Sequence, residues 1–86
     1  MENINFIDVE IYTEKLNDMY ARVSEYISAH PRNRVIHKLQ DQQHLLAVAR
    51  HKSRFHADEK HFSEWQKLLD QSEKTVREAI IADVLG

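Results

Sequence analysis

Apolar side chains recur through much of this chain in alternating steps of three and four. Val9, Tyr12, Leu16, Met19, Val23 and Tyr26 follow one another by 3, 4, 3, 4 and 3 residues. A helix turns once per 3.6 residues, so this spacing keeps all six on one face. Tyr20 and Ile27 widen the seam to the stripe of a bundle helix. The pattern predicts a first helix from about Ile7 or Asp8 to Ala29, after a short alternating stretch, Asn3 to Val9, that reads as an extended lead-in. His30 precedes Pro31, and the residue before a proline is pushed out of the helical region, so the chain turns there.

A second helix is predicted over about 33–54. Proline is tolerated in a first turn and Asn33 can cap. Val35, Leu39, Leu46 and Ala49 fall close together on one face of it. A third helix is predicted over about 58–84, with Asp58 as its N-cap. Its seam is Phe55, Phe62, Trp65, Leu69, Val76 and Ala79, supported by Leu68 and Ile80. On one continuous helix this seam would be rotated from the preceding stripe by roughly 130°. The two stretches therefore read better as separate rods. The expected architecture is all-α, an antiparallel three-helix bundle forming a single helical domain over 1–86. Val9–Tyr26 and Phe55–Ala79 supply its core. The alternative is a helical hairpin with one long C-terminal helix, completed by dimerisation.

Composition narrows the picture further. The chain has one proline, Pro31, and one glycine, Gly86, far fewer turn formers than a sheet protein needs. It has no cysteine, which excludes disulfides and fits a reducing compartment. No apolar run approaches the roughly 18 residues of a membrane span, and MENINFIDVE lacks a signal-peptide hydrophobic stretch. These features lead to the expectation of a soluble cytoplasmic protein without membrane attachment.

Charge is unevenly laid out. Residues 1–29 hold six acids and two bases, 30–57 hold one acid (Asp41) and six bases, and 58–86 hold seven acids and four bases. A basic middle segment thus lies between two acidic ones. One reading is mutual complementarity of the helices. The other is that the basic helix addresses a negatively charged partner.

The middle segment also carries a histidine at every seventh position: His30, His37, His44 and His51. Residues seven apart stand about 10.5 Å apart along a helix, too far to share one ion with bonds near about 2.1 Å. Closer pairs exist, such as His37 with Asp41 or His61 with Glu64, but none matches a known metal motif. No metal or other cofactor is expected. Protonating all six histidines would move the formal net charge from −2 to +4, a physical route to pH-dependent association. The stripe lies almost opposite the apolar face of the second helix, so it should face solvent.

No cysteine nucleophile, glycine-rich phosphate loop or recognisable serine–histidine–acid grouping is present, and a small bundle has little room for a water-excluding pocket. An enzyme with a small-molecule substrate is not expected. The reading is a non-enzymatic helical protein–protein interaction module, of adaptor, chaperone or regulatory type, binding another protein or a second copy as a homodimer. Its partner-binding residues are expected to be Arg34, His37, Lys38, His44, His51 and Arg54. The alternative is a DNA- or RNA-binding regulator using the same helix, where Arg32, Asn33, Gln40, Gln42 and Gln43 would join in contacting phosphates and base edges.

Overall fold

The computed structural model describes residues 6–53 and 59–85, with side chains from 9–53 and 61–85. Three helices account for most of them: α1 (Phe6–Ala29), α2 (Ile36–Lys52) and α3 (Glu59–Leu85). Each packs against the other two in a rod of 52 × 17 × 16 Å. This is the expected three-helix bundle. The hairpin with one long arm is not formed: α2 ends at Lys52, and α3 is a separate helix packed back against it.

Contacts along the rod give the directions. Gln43 on α2 donates to Ser24 on α1 at 2.9 Å, while Arg50 lies over the ring of Tyr20 at 4.2 Å. Rising numbers on one helix thus meet falling numbers on the other, so α1 and α2 are antiparallel. Lys38 reaches Glu78 and Gln42 meets Ser72, so α2 and α3 are antiparallel as well. Tyr12 meets Gln66 and Arg22 meets Glu73, which leaves α1 and α3 parallel.

The core follows the apolar seams. Leu16 and Val23 from α1, Leu39, Leu46 and Ala49 from α2, and Trp65, Leu69, Val76 and Ala79 from α3 are buried. Tyr12, Met19, Tyr26, Val35, Phe62 and Leu68 pack against them from the edges. Two positions that the apolar pattern passes over complete the seams: Gln42 and Ser72 are buried, and Ser72 Oγ donates to Gln42 Oε1 at 2.9 Å. With them included, α2 runs 35, 39, 42, 46, 49, 53 and α3 runs 62, 65, 69, 72, 76, 79 in unbroken steps of three and four.

Several expectations are corrected. The second helix begins at Ile36 rather than 33. Asn33 does not cap it. Its Oδ1 accepts the Val35 N–H at 2.9 Å, and its Nδ2 donates to the Ala79 carbonyl of α3 at 2.8 Å. That local side-chain turn competes with helix formation and delays it by three residues. Ile80 is not a core residue. It lies 100° of helix rotation past buried Ala79 and stays exposed. Phe55, Asp58 and Arg54 lie outside the described residues.

Candidate functional site

The face of α2 turned away from the bundle is where the expected contact residues are found. Leu39, Gln42, Leu46 and Ala49 are buried on one side, and His37, His44 and His51 are exposed on the other. At 100° per residue the imidazole stripe is centred about 180° from the buried stripe. Arg34 and Lys38 are also exposed. Arg34 sits in the turn before α2, and Lys38 Nζ pairs with Glu78 Oε2 at 3.2 Å. Among the described residues, Arg34, His37 and His44 form no ion pair. The stripe is extended, not convergent: successive histidines are about 10.5 Å apart along the axis. Among the described residues no three His, Asp or Glu side chains gather as a metal-binding set.

Mutual complementarity of the helices is carried by few contacts. Besides Lys38–Glu78, Arg22 of α1 grips Glu73 of α3 through both guanidinium nitrogens, at 2.6 and 3.4 Å. This hydrogen-bonded pairing outweighs the opposing effect of burial and holds the Glu73 carboxyl below the usual glutamate range. At the far end of the rod, Tyr26 donates to Asp83 while His30 Nδ1 lies 3.2 Å from the same carboxylate. The Tyr26 and His30 rings stack at 4.2 Å. Burial, then the hydrogen bond to Asp83 and its negative charge, push Tyr26 up to about 12. Of the Lys and Arg side chains of α2, Lys38 and Lys52 are exposed, while Arg50 lies over the Tyr20 ring of α1.

Beside the imidazole stripe lies a feature that the apolar pattern did not single out. Leu45 and Val48 of α2 are 48% and 39% exposed. With Leu68 of α3 they border a shallow groove of about 210 Å³ between α2 and α3, whose lining includes Trp65, only 3% exposed. His61 stacks on the Trp65 ring at 5.7 Å, and Lys52, His61 and Glu64 edge the groove. The sequence carries only the angular part of the signal for this groove. Leu45 and Val48 each precede a buried residue, Leu46 and Ala49, and so fall 100° off the stripe toward α3.

Two other surfaces compete for attention. A groove of about 310 Å³ between α1 and α3 is walled largely by charged side chains, Arg22 and Glu73 among them, whose ion pair joins the two helices. At the end of α3, Ile80, Ile81, Val84 and Leu85 are exposed on one side of the helix.

No known protein family, curated protein or solved structure matches the chain. Of the side chains suited to base edges, Asn33 and Gln42 are buried and hydrogen-bonded inside the bundle, and Gln43 is tied to Ser24. Gln40 remains exposed. Among the described residues no helix is long and apolar enough to cross a membrane.

Proposed function

We propose that this protein is a non-enzymatic helical interaction module of adaptor, chaperone or regulatory type, which presents the outer face of α2 and the adjoining α2/α3 groove to another protein chain. The observation that carries this reading is the pairing of exposed Leu45 and Val48 with Leu68 above buried Trp65. Apolar side chains left exposed over an aromatic floor gain most when a partner removes them from water. The surrounding face supplies selection: Arg34, His37, Lys38, His44 and His51 are exposed around it. Basic and imidazole groups at a rim tune which partner approaches and how fast, more than how tightly it holds.

The nucleic-acid reading is weaker because amides that would read bases are engaged within the fold. A binding comparison separates the two. Affinity capture with the intact chain is set against Leu45→Glu and Val48→Glu, both at exposed positions. The proposal expects a retained protein that both substitutions release. Retention that ignores them, or retention of duplex DNA that weakens steeply with salt, overturns it.

A further inference from the structure

Two outward faces of the bundle carry opposite kinds of charge that its own fold does not pair. On α1, Glu10, Glu14, Asp18 and Glu25 are exposed, in steps of 4, 4 and 7. They span about 80° of helix surface on the side opposite buried Leu16 and Val23. Among the described residues none of the four forms an ion pair. The bases of α1, Lys15 and Arg22, stand toward α3, one over the Tyr12 ring and the other on Glu73.

On α2, exposed His37, His44 and His51 form a stripe with one acid beside it, Asp41. The other cations are set apart from it. Lys38 is on Glu78, Arg50 lies over Tyr20, and Lys52 shares the groove rim with Glu64. Arg34 lies before the helix, in the turn. Positive charge on the stripe is therefore supplied by its own imidazoles, and only in acid.

We propose that below neutral pH the histidine stripe of α2 docks on the acidic ridge of α1 of a second copy, so that chains associate head to tail. This goes beyond the binding role of the groove, since neither face includes Leu45 or Leu68.

Register supports the pairing. Seven residues separate Asp18 from Glu25, and seven separate His44 from His51, about 10.5 Å of helix in each case. Within one chain Gln43 meets Ser24 and Arg50 lies over Tyr20, so His44 stands close to level with Glu25, and His51 with Asp18. A copy set beside another, with the two rods parallel, lays its α1 antiparallel to the neighbour's α2. Both acids then stand opposite both imidazoles. Each copy keeps one face open, so the contact repeats rather than closing on a pair.

Both faces are charged in one window only. Histidine side chains take up protons as pH falls through about 6.5, and glutamates lose their charge below about 4.3. Contact favours protonated imidazole and ionised carboxylate. Association is therefore lost as pH rises through the first value, and again as it falls through the second. Exposed ion pairs are individually weak, so the assembly depends on concentration and yields to salt.

Light scattering of the whole chain at millimolar concentration and low salt reads this. The weight-average mass at about pH 5.4 should be at least about twice that at about pH 7.5, where the single-chain mass of 10.2 kDa is expected. Two disabled chains test the geometry. His37→Gln with His44→Gln and His51→Gln removes one face, and Glu14→Gln with Asp18→Asn and Glu25→Gln removes the other. All six positions are exposed, and circular dichroism checks that both chains stay helical. Each alone should remain single at about pH 5.4. Mixed in equal amounts they should form one-to-one pairs and nothing larger, since each brings the face the other lacks. Lysine in place of the three histidines should keep chains associated at about pH 7.5, because its charge persists there. Leu45→Glu should leave the association unchanged.

A mass that ignores pH overturns the proposal. So does association that survives in either disabled chain, which would be general association near the isoelectric point of about 6.3. A mixture that stays single overturns the pairing of these two faces, as does a lysine chain no more associated at about pH 7.5 than the native one. Association lost in Leu45→Glu would assign the contact to the groove and overturn it equally.

Discussion

Ser72 of α3 donates a hydrogen bond of 2.9 Å to Gln42 of α2 in the buried middle of the bundle. Both residues stand at seam positions that neighbours fill with Leu, Val or Trp. The pair satisfies two groups that would otherwise be buried without partners. It also distinguishes one axial alignment of α2 and α3 from those shifted by a turn, as a lone buried polar pair does in helical bundles. A slip of one turn would set Gln42 against Leu69 or Val76 and leave both polar groups unpaired.

Truncating one partner should therefore cost more than removing both. Gln42→Leu leaves the Ser72 hydroxyl without its acceptor, and urea unfolding should show a loss of about 1–3 kcal/mol. Gln42→Leu with Ser72→Ala should recover most or all of that, since an apolar pair of similar volume has nothing left unsatisfied. A double variant as unstable as the single one would show that the hydrogen bond does not organise this layer.

Two leucines at different depths should respond differently to the same truncation. Leu69 is buried in the core, and Leu69→Ala should destabilise by about 2–5 kcal/mol. Leu45 is nearly half exposed, and Leu45→Ala should change stability by no more than about 0.5 kcal/mol. The contrast is read from the same denaturant titrations. A comparable loss at both sites would mean that Leu45 is structural, and its claim to a binding role would fall with it.

Most of the architecture was legible because the seams are regular and turn formers are scarce. Val9–Tyr26 and Phe62–Ala79 mark two helices by spacing alone, and His30–Pro31 marks the first turn. The sequence pattern places the start of α2 three residues early, because a capping side chain and a turn-forming side chain look alike in sequence. Asn33 is held by the Ala79 carbonyl of a helix 46 residues away, which no local pattern reveals. The outward direction of His37, His44 and His51 followed from the angular position of Leu39 and Leu46. The groove did not, because exposure of Leu45 and Val48 depends on where α3 passes, and only packing decides that.

Two ionisable groups give the bundle opposite responses at the extremes of pH. Tyr26, raised from 10.0 to about 12, favours its neutral form in the folded protein. Its contribution is complete below pH 10 and is lost as pH climbs toward 12. Asp83→Asn should lower the tyrosinate titration of Tyr26 only in part, because burial is the larger cause. Glu73 is lowered from 4.5 by Arg22, so its contribution is complete above that value and fades as pH falls below it. Thermal melts from acid to alkali should decline at both ends, with Arg22→Ala flattening the acid limb. An alkaline limb unaffected by Asp83→Asn would contradict the role given to the Tyr26–Asp83 contact.

In the protein by itself, the α2/α3 groove should be uncovered and reserved for a different chain. Light scattering across a range of concentrations at neutral pH tests this most directly. The expected mass is that of one chain, 10.2 kDa, unchanged by Leu45→Glu. A dimer that falls apart on Leu45→Glu would show that a second copy already fills the groove, and would contradict it.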